Sequence, residues 1–177
     1  DCDRSLALKP DQPEVRLIRS AILRDQMRLA EAAAEGAAYL RLAAGGDAGA
    51  QALAEDWARL LTVEQVPAVY ETEDEIRTAR RQVDEMLDGF MARGDVPSPA
   101  SPAAREVAAR GIAQLTGFYL AYQQENDRET LQKLARVATR LLGIAPWSPE
   151  PSRGGRIRVG IASQRLRNHN GANWAYN

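Results

Sequence analysis

The sequence contains few of the residues that carry most catalytic chemistry. Among 177 residues there is one cysteine, Cys2, and one histidine, His169. A single thiol excludes an internal disulfide and fits a reducing, cytoplasmic compartment. One cysteine and one histidine so far apart cannot hold a metal without several carboxylates, so we predict no metal site. The sequence also lacks a Walker loop, a GxGxxG motif and a nucleophile elbow.

Long apolar runs and strong net charge are absent as well. No run of about 18 apolar residues occurs, so we predict no membrane span. A net charge of −1 gives no indication of a nucleic-acid partner. The charge is unevenly distributed, however: residues 152–177 hold five arginines and no acidic residue, against 18 basic and 24 acidic groups before them. This change of sign predicts a boundary near residue 150, and the basic end is either a solvated surface or a site facing an anion such as phosphate.

A short motif near the start of the chain repeats after 34 residues. Leu6-Ala7-Leu8 is followed 34 positions later by Leu40-Arg41-Leu42, and this period is that of the tetratricopeptide helix pair. The pattern predicts one full, degenerate repeat with helices over 13–26 and 29–43, preceded by a stub. The aromatic residues usual in this repeat are missing. The alternative is that the 34-residue spacing arose by chance in a chain rich in alanine and leucine. The positions that the repeat reserves for small residues hold Ser20, Ala32 and Gly36.

The remaining helices follow from apolar periodicity. Thr72 followed by Glu75 has the spacing of a capping box, and Pro67 makes residues 63–70 a connection rather than a central strand. Closely spaced prolines predict a loop over 93–104. The predicted helices cover 48–61, 73–92, 104–125 and 128–143. Five aromatic residues are interpreted as packing residues: Trp57, Tyr119, Tyr122, Trp147 and Trp174.

The last part of the chain changes pattern. Residues 156–163 alternate with period two and predict a β-strand, and a polar turn and a helix start follow. Because a lone strand needs sheet neighbours, we expect the chain to stop inside an α/β domain. Ligands in open α/β sheets bind beyond the carboxyl ends of the strands, which is where His169 falls. Its imidazole could accept a proton or hold a substrate oxygen, with a capping or surface role as the alternative.

Three stretches in this order resemble a known family. They are Val-Pro-Ala-Val-Tyr-Glu-Thr-Glu-Asp-Glu-Ile at 66–76, Thr-Gly-Phe-Tyr-Leu-Ala-Tyr-Gln-Gln-Glu-Asn-Asp at 116–127, and the strand at 156–163 followed by Leu-Arg-Asn-His at 166–169. Downstream of tetratricopeptide repeats, this set resembles bacterial members of the O-linked N-acetylglucosamine transferase (SPINDLY) family.

The resemblance implies a two-lobed, inverting glycosyltransferase that uses a nucleotide sugar, typically UDP-N-acetylglucosamine, to modify serine or threonine of proteins. It implies a catalytic His169, with Arg167 and Asn168 of the same motif in substrate binding, and no cofactor. The chain departs from the family at Arg165-Leu166, where Asp-Phe is common. Because the nucleotide-binding lobe is expected beyond Asn177, we expect residues 1–177 alone to be inactive and to bind no UDP-sugar.

The predicted fold is mostly α: tetratricopeptide-like hairpins and a helical connector, followed by the first strand of a truncated α/β glycosyltransferase domain. We expect the protein acceptor to lie along the repeats, and the nucleotide sugar to bind only with the missing lobe. GDP-fucose is another possible donor. The alternatives are a tetratricopeptide-like protein-binding scaffold without transferase activity and a helical adaptor with a disordered tail. The predicted divisions are repeats at 1–61, connector at 62–144, linker at 145–155 and domain start at 156–177.

Overall fold

The protein is largely helical over the residues that the computed structural model describes, which are 1–67, 69–96, 98–115 and 117–145. These residues belong to one compact unit, Asp1–Ala145. Two 3₁₀ segments, Leu61–Gln65 and Phe118–Gln123, interrupt the α-helices, and no strand occurs in these ranges. The strand predicted over 156–163 lies outside the described residues. The helices are α1 (Cys2–Leu8), α2 (Pro13–Asp25), α3 (Leu29–Ala44), α4 (Ala48–Leu60), α5 (Glu73–Ala92), α6 (Pro102–Gln114) and α7 (Arg128–Leu141).

Local signals fix several helix ends. The Asp47 carboxylate accepts a hydrogen bond from the Ala50 N–H at 2.7 Å and caps α4. Ser101 caps α6 in the same way, at 3.1 Å from the Ala104 nitrogen. Pro102 follows as the first helical residue, so the loop predicted over 93–104 ends at Ser101, because proline is favoured in a first helical turn. At the other end of α3, Gly45 terminates the helix with φ of 54°, as glycine commonly does.

The predicted capping box at the start of α5 is confirmed, with one difference. The Glu75 N–H donates to the Thr72 hydroxyl at 3.3 Å. The Glu75 carboxylate accepts from the Glu71 N–H at 3.0 Å, one residue before the position at which the motif usually bonds. The contact with Thr72 satisfies a donor that a helix start leaves unpaired.

The helices α2 and α3 form a closely packed hairpin. The Ser20 hydroxyl donates to the Ala32 carbonyl oxygen at 2.8 Å, and Ala32 is completely buried. A Cβ placed on Gly36 would lie 3.8 Å from the Ser20 oxygen. Small side chains therefore let the two helix backbones approach each other at the positions that the sequence pattern indicated.

Sequential packing continues from this hairpin. The helix α1 packs on α2, α3 packs on α4, and α6 packs on both α3 and α4. Trp57 of α4 is fully buried, and Leu40 and Leu141 belong to the same continuous apolar core. The core therefore includes residues on both sides of the division predicted between residues 61 and 62. None of the helices described is both long and apolar enough to cross a membrane.

The continuous helix predicted over 104–125 is wrong. The helix α6 ends at Gln114, Leu115 is extended with ψ of 110°, and Gly117 adopts a left-handed φ of 60° before the second 3₁₀ segment. A left-handed residue cannot continue a right-handed helix, so the apolar phase is broken there.

Tyr119 lies half-buried against the core, whereas Tyr122 is 63% exposed, which makes its interpretation as a packing residue wrong. Trp57 is confirmed as a packing residue.

Candidate functional site

Polar side chains converge at the contact between two of the stretches that carry the family resemblance. We call the residues Tyr70, Arg80, Gln123 and Asp127 the connector junction. Tyr70 belongs to the first stretch and Gln123 and Asp127 to the second, while Arg80 projects from α5. The junction therefore brings together residues that are more than 40 positions apart in the chain.

The Arg80 guanidinium is the centre of the junction. Its Nη1 donates to the Gln123 Oε1 at 2.9 Å and to the Asp127 Oδ1 at 2.8 Å. The side chains of Arg80 and Asp127 are 14% and 17% exposed. This limited exposure makes the pair stronger than a surface ion pair, because solvent screens it less.

Asp127 occupies the residue position that normally caps α7, but its carboxylate pairs with Arg80 instead. The neighbouring Asn126 supplies a substitute, since its Oδ1 accepts a hydrogen bond from the Arg128 N–H at 3.1 Å. The two neighbouring side chains therefore have different roles: Asn126 bonds to the start of α7, and Asp127 pairs with Arg80.

Tyr70 completes the junction. The Gln123 Nε2 donates to the Tyr70 hydroxyl oxygen. Burial raises the pKa of the Tyr70 phenol, although the contact with Gln123 acts in the opposite direction. The phenol therefore keeps its proton at neutral pH. The four side chains bond to one another, an arrangement that holds chain segments together rather than one that presents a nucleophile or base to a substrate.

A second contact fixes the same part of the chain. Glu64 is only 5% exposed, and its carboxylate accepts a hydrogen bond from the backbone N–H of Gly117. The bond ties the first 3₁₀ segment to the turn that precedes the second. Any residue other than glycine at position 117 would strain this turn, because Gly117 has a positive φ.

A cleft of about 360 Å³ adjoins Glu64. One wall is a single face of α2, formed by Leu17, Ser20, Ala21 and Arg24, whose spacing of three and four residues places them in line. The other wall contains Gln114 at the end of α6 and Tyr119 in the second 3₁₀ segment. We call this the Arg24 cleft. Its volume falls within the range of about 300–1,000 Å³ that is usual for small-molecule sites.

Arg24 differs from the other arginines of α2. Arg16 and Arg19 both pair with the Glu35 carboxylate. The Nε atoms of Arg16 and Arg24 are both buried without a hydrogen-bond partner among the described residues. Of the three arginines, Arg24 is the one whose guanidinium makes no ion pair with the described residues. The cleft thus contains a guanidinium that forms no ion pair with the described residues, together with the Glu64 carboxylate.

The residues predicted to carry the chemistry, Arg167, Asn168 and His169, lie outside the described residues. Their roles therefore stay predictions. Within the described ranges, no group of three or more histidine, cysteine or acidic residues could hold a metal ion.

Sequence reasoning missed the junction and the cleft for an identifiable reason. Tyr70, Gln123 and Asp127 were part of the family resemblance, but nothing indicated that they contact Arg80. The one local signal for the cleft is Glu64, an acidic residue inside an otherwise mostly apolar stretch, since such a residue needs partners when buried. Arg24 is one of several arginines on an amphipathic helix, and its sequence context does not distinguish it.

In comparisons with known proteins, the chain matches no family model, no curated protein and no solved structure. The contacts described above are therefore the evidence on which a functional proposal depends.

Proposed function

We propose that this chain is the docking and connector part of a protein O-glycosyltransferase, which transfers a sugar from a nucleotide sugar to serine or threonine of a protein. UDP-N-acetylglucosamine is the proposed donor. The α2–α3 hairpin belongs to a tetratricopeptide-like array along which the acceptor protein lies. The connector, from the first 3₁₀ segment to α7, leads to the transferase domain.

The observation that carries this proposal is the connector junction. Two of the three stretches that resemble the transferase family meet there through the hydrogen bond from Gln123 to Tyr70. Arg80 of α5 holds the second stretch through Gln123 and Asp127. A repeat array positions a substrate for a distant active site only when the segment between them is rigid, because positional errors of about 1 Å already reduce rates. The junction and the Glu64–Gly117 contact supply such rigidity at the two irregular segments of the connector.

In this proposal, His169 acts at the acceptor hydroxyl and Arg167 and Asn168 contact substrate. An imidazole can take a proton from a hydroxyl near neutral pH, and a guanidinium and an amide can hold sugar or phosphate oxygens. The leaving diphosphate requires further positive groups, which we assign to a nucleotide-binding lobe beyond this chain.

The test is transfer of labelled N-acetylglucosamine from UDP-N-acetylglucosamine to protein, measured on the protein as its source produces it. We expect transfer that falls by at least about a hundredfold in His169→Ala, the usual order for loss of a general base. Arg153→Ala is the control, as it changes a residue of the predicted linker, and we expect little effect. Unchanged transfer in His169→Ala would remove the catalytic role of this residue.

Residues 1–177 alone give a second measurement. We expect no sugar transfer and no UDP binding by calorimetry, since the proposed nucleotide lobe is not part of this chain. Tight UDP binding by residues 1–177 would contradict that assignment.

A protein-binding scaffold without transferase activity is the second candidate. The observation that favours it is the α2–α3 hairpin, whose contact between Ser20 and Ala32 is the kind that repeat arrays use to stack helices. Absence of transfer by the native protein, together with capture of a defined polypeptide partner that requires this hairpin, would support the scaffold.

A further inference from the structure

The Arg24 cleft contains an unsatisfied cationic donor that the proposed transferase function does not use. The buried Nε of Arg24 has no partner among the described residues, and a buried donor without an acceptor destabilises the free protein. The nearby polar groups do not correct this. Ser20 and Gln114 also line the cleft, but neither of their side-chain oxygens accepts a hydrogen bond from the Arg24 Nε.

The position of Arg24 makes it accessible to a ligand. Arg24 and three residues before it on the same face of α2 form one wall of an open cleft, and Ala21 in the middle of that wall is small and exposed. A planar acceptor group entering between α2 and the end of α6 can therefore reach the guanidinium. The planar fork of arginine matches a carboxylate with two parallel hydrogen bonds.

The charge of the cleft selects among anions. Glu64 lines the same cleft, is almost fully buried, and adds one negative charge to its walls. A phosphate that carries close to two negative charges is repelled by Glu64 more strongly than a carboxylate with one. Among anions that Arg24 can bind, the cleft therefore favours a singly charged carboxylate over a phosphate.

We propose that the Arg24 cleft is a binding site for a single carboxylate, which the Arg24 guanidinium holds through its Nη donors. The carboxylate belongs either to a small organic acid or to an acidic side chain of a polypeptide. This inference does not depend on the transferase activity, because it is argued from the described residues of the cleft alone.

The experiment follows the Arg24 Nε–H signal by ¹⁵N NMR in residues 1–177 while one of four probes is added at constant ionic strength. The probes are sodium acetate, inorganic phosphate, N-acetyl-aspartyl amide and its uncharged counterpart N-acetyl-asparaginyl amide. The signal is assigned by its absence in Arg24→Lys. We expect acetate and the aspartyl probe to shift the signal saturably, and phosphate to bind about tenfold more weakly, which corresponds to a modest electrostatic penalty.

Variants make the assignment specific. We expect Arg24→Gln to weaken carboxylate binding about tenfold or more, as loss of a charge-assisted hydrogen bond does. Arg28→Gln is the matched control: Arg28 is half-exposed and pairs with Glu31 next to the cleft rather than lining it, so carboxylate binding should be unchanged. Glu64→Gln keeps an acceptor for the Gly117 N–H but removes the charge, and should raise phosphate affinity towards that of acetate.

The probes also distinguish the two sources of the carboxylate. Tighter binding of N-acetyl-aspartyl amide than of acetate indicates an acidic polypeptide, and the reverse order indicates a small acid. The proposal is overturned if no carboxylate shifts the Arg24 signal through the millimolar range, if phosphate binds as well as acetate, or if Arg28→Gln weakens binding as much as Arg24→Gln. If a variant fails to fold, the titrations of the unsubstituted protein with acetate and phosphate still test the proposal through the Arg24 Nε–H signal.

Discussion

At the scale of single residues, the interior is organised around Trp57. Its indole is completely buried, and it lies directly against Gly111 of α6. Glycine is poor in a helix interior because it has high conformational freedom in the unfolded chain. Its presence at this position is explained by space, since the indole occupies the volume into which a Cβ would project.

Gly111→Ala tests this packing. A Cβ at Gly111 would lie 2.6 Å from the Trp57 Cγ, so we expect overpacking to lower the free energy of unfolding by about 1–3 kcal/mol despite the better helix propensity of alanine. Urea unfolding followed by circular dichroism measures the change.

Gly89→Ala is the control for that substitution. Gly89 lies within α5 and no atom would come within 4 Å of a new Cβ, so helix propensity alone should stabilise the protein by about 0.5–1 kcal/mol. If both variants shifted stability in the same direction, the contact with Trp57 would not be the reason for glycine at 111.

At the scale of elements, the α2–α3 hairpin depends on small residues where the helices cross. Ala32 is fully buried beneath Ser20, whereas Ala34, two residues later on the same helix, is exposed. Alanine therefore permits close helix packing on one face of α3 and lies at the exposed surface on another.

Ala32→Leu tests the hairpin packing. A larger side chain at this position would separate the helices or break the bond between Ser20 and the Ala32 carbonyl oxygen, so we expect destabilisation by about 1–3 kcal/mol. Ala34→Leu should change the free energy of unfolding by less than about 0.5 kcal/mol, as exposed substitutions do. Equal effects in urea unfolding would show that α2 and α3 do not pack closely.

At the scale of the whole described unit, one apolar core connects the hairpin with the connector. Leu40 and Leu53 belong to the same cluster as Phe90 and Leu141. Helices that share a core lose their packing together, so this unit should unfold as one cooperative body.

The prediction is that residues 1–145 unfold in a single transition. Trp57 is the one tryptophan in this segment, so its fluorescence reports the core while circular dichroism reports all helices. We expect the two urea curves to coincide, with Trp57→Phe as the control for the fluorescence signal. Separate midpoints would instead show that the predicted repeat and connector regions fold independently.

Much of the local structure was predictable from the sequence. Most helix positions follow from apolar periodicity, and the end at Gly45, the Thr72–Glu75 cap and the small residues of the hairpin follow from interactions between near neighbours or from a repeat pattern. The prediction of a continuous helix over 104–125 was wrong because a long-range contact, rather than near neighbours, decides the structure there. There the apolar spacing continued across Gly117, and the left-handed turn that Glu64 holds through a contact 53 positions away was not visible in that spacing.

The sequence by itself determined what depends on residues within about one helical turn: which segments are helical, how they are capped, and where small side chains permit close packing. Only the tertiary structure decided that Asp127 pairs with Arg80 rather than capping its own helix, and that Trp57 meets Gly111. It also decided that Arg24 lines a cleft without an ion-pair partner in the part of the chain that the structure describes. The physical reason is distance along the chain. Arg80 and Asp127 are 47 positions apart, and neither residue carries a local signal of the other until the helices between them are packed.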